Sequence, residues 1–238
     1  MNLEQMEKEL AVIIQDASLQ PQFRAWINNA ILEIAADFDL PTLRLIEPAT
    51  FPVTETSWLF ALPETFHKKL FRAADSKWSH ITVKNQERPL EIDYLDRVDP
   101  GHQRVDKHVE MAAAANFGGV NYLGVYPRAT ESIYLWFYEK PVELKKPGDS
   151  CTCIPPEFHE RVIIPRVIIK GYQLLMDQTV NFDPKPLQYW QGKYSEGLYG
   201  SPMGPIGLIN YLAKIRGGPR RHGGRDPIGP GRFYRGYY

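Results

Sequence analysis

The side chains most capable of chemistry in this 238-residue chain fall in three places. Cys151 and Cys153, one residue apart, precede His159. Thiolates beside an imidazole can bind zinc or act as activated nucleophiles. Structural zinc takes four such ligands in two spaced pairs, and no second pair follows, so we read two free thiols and no metal site. They are the only cysteines in the chain, too few for a disulfide framework and awkwardly spaced for an unstrained bridge.

The second place is DRVDPGHQRVDKHVE, where His102 and His108 stand among Asp99, Asp106 and Glu110. Those residue types could make a divalent-metal site or an acid–base pair. Arg97, Arg104 and Lys107 are interleaved, which favours a solvated segment of mixed-sign ion pairs. An active site built on His102, His108 and His159 would need all three to converge in one cleft. The chain carries no G-x-S-x-G, H-E-x-x-H, phosphate-loop or G-x-G-x-x-G pattern, and Gly118-Gly119 alone is a weak phosphate signal. We therefore expect no enzyme and no cofactor. Trp58, Trp78, Trp136 and Trp190 could stack a sugar or a base, but their positions fit a core or a subunit contact better.

The third place is the tail. From Gly217 onward the chain holds seven glycines, three prolines and five arginines against the single Asp226, and it ends in aromatics. Such a composition cannot bury its own apolar surface, so it orders only in a groove supplied by another chain. Fully extended, its 22 residues reach about 70 Å at roughly 3.3 Å each. Arg220, Arg221, Arg225, Arg232 and Arg235 would supply charged contacts, and Phe233, Tyr234, Tyr237 and Tyr238 the anchors, of an extended arm docked into a protein assembly. The alternative is a nucleic-acid-binding segment, in which the same arginines meet phosphates and the aromatics stack on bases.

The bulk composition does not decide between them. Twenty-eight basic residues balance twenty-eight acidic ones, so no global field steers the chain to nucleic acid or to a membrane surface. No apolar run approaches the roughly 20 residues needed to span a bilayer, and MNLEQMEKEL is not a secretory signal. We expect a cytoplasmic location.

The elements that must position these residues follow from periodicity. Leu3, Met6, Leu10 and Ile13 predict one helix; Phe23, Ile27, Ile31, Ile34 and Phe38 predict a second, which ends at Leu40-Pro41. Between Thr42 and Cys153 the period becomes strand-like and prolines punctuate it. Ile81 to Val83 and Leu90 to Tyr94 predict a hairpin around KNQER. MAAAANFGG reads as a glycine-bearing loop leading to a strand at Val120 to Tyr126. In ESIYLWFYEKPVEL, Ile133, Leu135 and Phe137 alternate with Tyr134, Trp136 and Tyr138, a strand with two apolar faces. From Pro155 a wide apolar face predicts a helix that Pro165 kinks or divides, followed by a helix from Pro184 to Tyr194 and a Gly/Pro-rich joint.

This order predicts an α+β fold: a helical bundle formed by the N- and C-terminal helices, with an inserted small antiparallel, sandwich-like β-domain and an extended C-terminal arm. The expected divisions are 1–41 (helices), 42–153 (β-rich), 154–216 (helices packing on the first pair) and 217–238 (arm).

The stretches DFDLPTLRLIEPATFPVTETSWLFALPETFHKKL, NQERPLEIDYLDRVDP, NYLGVYPRATESIYLWFYEKPVEL and CIPPEFHERVIIPRVIIKGYQLL occur in this order over about residues 25 to 180. Together they resemble the head-to-tail adaptor (connector) proteins of tailed bacteriophages, with LP before a helix-like F..K, a hairpin containing RPLE, and IP..FH opening the returning helix. The resemblance implies a structural virion protein at the head–tail junction, made in the host cytoplasm. It implies a ring of twelve copies beneath the portal, bound to portal and to tail or nozzle proteins, with DNA passing through the lumen. No membrane takes part. It also implies that the C-terminal arm reaches the portal, although the Gly/Arg content of this tail departs from the family pattern.

Overall fold

A computed structural model describes residues 1–84, 95, 97–178, 183–201 and 204–215. The described chain is mixed α+β, with five α-helices and one seven-stranded sheet. Helix α1 (Leu3–Ile14) begins with a capping box, in which Asn2 and Gln5 satisfy each other's backbone amides. It buries Leu3, Met6, Leu10 and Ile14, one apolar stripe at helical spacing. A turn of 3-10 helix at Gln20–Gln22, set by Pro21, leads into α2 (Phe23–Asp37).

The returning segment is irregular before it is helical. Pro156–Phe158 is 3-10, His159–Ile163 is π-helical, and α3 (Ile164–Gln178) follows with Pro165 in its first turn. Pro165 lacks the amide that a continuous helix would need, and the division falls just ahead of it, as the sequence predicts. Helix α4 (Lys185–Tyr199) begins after Pro184 and runs five residues beyond the expected Tyr194. A further helix, α5 (Leu208–Ile215), lies where only a Gly/Pro joint was expected. The glycines there serve close packing: a Cβ built on Gly197 would fall on the Arg161 carbonyl oxygen. Buried residues from α1, α2, α3, α4 and α5 share one apolar cluster with Leu144, Cys151, Cys153 and Ile154.

The strands are β1 (Ala49–Val53), β2 (Leu59–Ala61), β3 (Phe66–Ala74), β4 (His80–Lys84), β5 (Met111–Phe117), β6 (Val120–Tyr126) and β7 (Glu131–Glu139), in spatial order β1-β7-β3-β4-β5-β6-β2. Six neighbouring pairs make this order, and only β4 with β5 is parallel, a departure from the all-antiparallel expectation. Although β1 and β2 are the two edges, the rings of Phe51 and Phe60 meet edge to face at 6.2 Å. The sheet therefore curls around one interior, which joins Phe66, Leu70, Ile133, Leu135 and Phe137 from one half to Ala112, Ala114, Leu123 and Val125 from the other.

Two strands correct the sequence reading. Met111–Phe117 is a strand, paired with β6 through a tight turn in which Gly118 and Gly119 take φ of 58° and 84°, values that glycine adopts without a Cβ clash. The helix-like F..K of ETFHKKL lies in β3, the partner of β7. Register shifts between Phe66 and Arg72, with Lys69 at φ 48°, break the alternation that would have marked a strand. Pro52 sits within β1, an edge strand, the place in a sheet where proline is tolerated. The Leu90 to Tyr94 half of the predicted hairpin lies outside the described residues; the described partners of β4 are β3 and β5.

Helices and sheet are joined by side chains that satisfy backbone groups. Lys68 of β3 donates to the carbonyls of Ala36 and Phe38, each at 2.9 Å, and lies 3.4 Å from Asp39. It thus caps the negative end of α2. The Asn28 carboxamide both accepts from and donates to the backbone of Leu144, and Thr42 Oγ1 donates to the Cys153 carbonyl at 2.7 Å.

Candidate functional site

The second face of β7 carries the densest group of interaction-prone side chains. Tyr134, Trp136 and Tyr138 alternate away from the sheet interior because the strand period is two. Arg72 stands opposite Trp136 in the β3–β7 ladder, with its guanidinium 4.4 Å from the centre of the indole ring. Farther along, Phe71 meets Tyr138 at 5.6 Å, and Arg44 lies 4.1 Å above Phe71. The β3–β4 turn adds Trp78, stacked 4.4 Å from Tyr134 and 6.0 Å from Trp136. Trp136 and Tyr138 are covered by these neighbours, while Arg44, Ile46, Arg72 and Trp78 remain exposed. Exposed tryptophan and arginine over a rigid strand is the composition of a protein–protein contact.

The turn that presents Trp78 is held by Asp75. Its Oδ1 accepts from the amides of Lys77 and Ser79, and its backbone bonds to Ser79 and Trp78 close the loop. Trp78 takes φ of 64°, a left-handed conformation that an L residue adopts at a cost.

The residues singled out from sequence do not converge. His102 is buried and stacks on Trp58 with ring centres 3.5 Å apart. His108 lies 3.3 Å from Glu131. Asp99 accepts from the Arg104 amide, while the Arg104 guanidinium reaches Asp106, Glu110 and the Tyr126 hydroxyl. Those bonds raise the Arg104 pKa and, with the Lys107 amide as the larger cause, lower that of Asp106. The mixed-sign reading of this segment holds for Arg104, Asp106 and Glu110, whereas His108 turns to a partner far along the chain.

Cys151 and Cys153 are free and buried, with their sulfurs 3.3 Å apart. The contact with Cys153, with the His159 imidazole nearby, holds Cys151 below the ordinary thiol range, and the same contact plus burial pushes Cys153 up. His159 is sealed in the helical core: Nε2 lies 2.8 Å from the Ile154 carbonyl oxygen, and Nδ1 lies 3.1 Å from both the amine and the carbonyl of Met1. The thiols and imidazole thus lie inside the helical core, with both ring nitrogens engaged. Arg220, Arg221, Arg225, Arg232, Phe233, Tyr234, Arg235, Tyr237 and Tyr238, the residues of the expected arm, lie outside the described residues.

Sequence reasoning missed Phe71 and Arg72, because the helix-like reading of β3 hid the face they share with β7, and Arg44, which lies ahead of β1. It also missed Asp75 and Glu131, which no local pattern marks.

The SU10 adaptor protein family matches residues 1–201, most of the chain. The chain belongs to that family and is a structural adaptor of phages. No curated protein matches it. Among the described residues no helix is long and apolar enough to cross a membrane.

Proposed function

We propose that this chain is the head-to-tail adaptor of a tailed phage virion: a ring, dodecameric by the resemblance above, seated beneath the portal, joining capsid to tail and letting DNA pass. The observation that carries this reading is the family match over residues 1–201. The exposed Trp78, Arg72 and Arg44 support it, since subunits packed head to tail bury two different surfaces each, and such side chains have a place in one of them. In this reading the helical segments 1–41 and 154–216 form one unit, the β-rich segment 42–153 another, and 217–238 is the docking arm.

The arm follows the matched residues, so its role rests on composition. With several arms on one ring, partial docking of some raises the effective concentration of the rest, and modest individual affinities suffice. Removing 217–238 tests it. The truncated chain should fold but no longer co-sediment with portal; normal attachment would end the strap reading. The five arginines among seven glycines also allow nucleic-acid binding through the tail. That reading requires affinity for DNA or RNA that falls steeply with salt, and a flat response excludes it.

A further inference from the structure

Asp75, His108 and Glu131 come from three separate segments: the β3–β4 turn, the approach to β5 and the first residue of β7. One ligand atom from each lies within 4.8 Å of the other two. The carboxylates are nearly sealed, Asp75 being 5% exposed and the Glu131 side chain 6%. Backbone amides aim both. Asp75 Oδ1 accepts from Lys77 and Ser79, and Glu131 Oε1 accepts from Val109 at 2.6 Å.

Those bonds orient the carboxylates. Asp75 Oδ2 has no hydrogen bond among the described residues, and Glu131 Oε2 meets only the His108 ring, at 3.3 Å. No lysine or arginine among the described residues pairs with either acid. Two buried carboxylates this close repel one another unless a cation or a shared proton stands between them.

We propose that Asp75, His108 and Glu131 bind a single divalent transition-metal cation of the Mn(II) to Zn(II) class. Two carboxylate oxygens with one imidazole nitrogen suit that class, whereas Ca(II) takes six to eight oxygens. Metal–ligand bonds of about 2.0–2.2 Å set tetrahedral donors roughly 3.4 Å apart, so the three groups must close by about 1 Å around an ion. His108 already stands 3.3 Å from Glu131 with its side chain 44% exposed, so it can adjust toward Asp75, and the same open side leaves room for water ligands. Once bound, the ion ties the β3–β4 turn to β7 and to the lead of β5, locking the loop that carries Trp78.

The test uses the full-length chain stripped with EDTA and titrated with Mn(II) alone, with the electron paramagnetic resonance signal of free Mn(II) counting what is bound. Manganese is chosen because the thiols of Cys151 and Cys153 have little affinity for it. We expect one Mn(II) per chain, bound at least about 10-fold more weakly after Asp75→Asn or Glu131→Gln, the loss typical when part of a metal site is removed. His108→Gln, at a half-exposed position where folding is not at stake, should weaken binding likewise. Absence of bound Mn(II) at millimolar concentration overturns the proposal, as does binding that His108→Gln and Glu131→Gln leave unchanged.

Discussion

The indole of Trp78 lies 4.4 Å from the ring of Tyr134 and 11° from parallel, yet Trp78 is 56% exposed. Its backbone sits at φ 64°, so the fold accepts local strain to lay one large aromatic side chain flat on the outer face of β7. One face of the indole is buried by the stack and the other is open to a partner. In the proposed ring that exposed face would serve as an interface anchor.

Trp78→Ala should therefore separate folding from assembly. Stability changes by no more than about 1 kcal/mol, because half the side chain is already in water and the strained conformation gains little from an indole. Self-association weakens about 10-fold or more if the face is shared between subunits. Sedimentation velocity across a concentration series reads the second effect, and urea unfolding the first.

Lys68→Met removes the ammonium that holds the carbonyls of Ala36 and Phe38 while keeping the stem. The expected cost is about 1–3 kcal/mol, that of leaving charge-assisted bonds at a helix end unmade. Equilibrium unfolding monitored by circular dichroism at 222 nm checks it. An unchanged midpoint would show that water replaces the lysine without penalty.

His67, next along β3, gives a pH dependence. Burial, then the charge of Lys68, lowers its pKa below the ordinary 6.5, although a hydrogen bond with the Ala35 backbone opposes them. Its Nε2 is buried with no partner among the described residues. The unfolded chain then binds a proton more readily than the folded one, so this contribution is complete above pH 6.5 and is lost as the pH falls below it. The melting temperature should drop between pH 7.5 and 5.5, and His67→Gln should flatten that drop.

How much of this was legible depended on whether the information was local. The ends of β6 followed from the Gly118-Gly119 pair ahead of it, the two-faced β7 from alternation, and the split ahead of Pro165 from one missing amide. β3 was hidden by its own register shifts, since a bulged strand loses the period of two by which strands are recognised. Helix α5 was hidden by glycines that read as a flexible joint and serve close packing instead. The free thiols were correctly read. The pairing of His108 with Glu131 and its proximity to Asp75 could not be foreseen from spacing, because curling of the sheet brings the three together.

Electron microscopy of the purified full-length chain, alone and mixed with portal, tests the central claim most directly. The adaptor reading predicts closed rings that stack coaxially on portal rings with an open channel through both. A chain that remains a single subunit and leaves portal particles undecorated at micromolar concentration would contradict it.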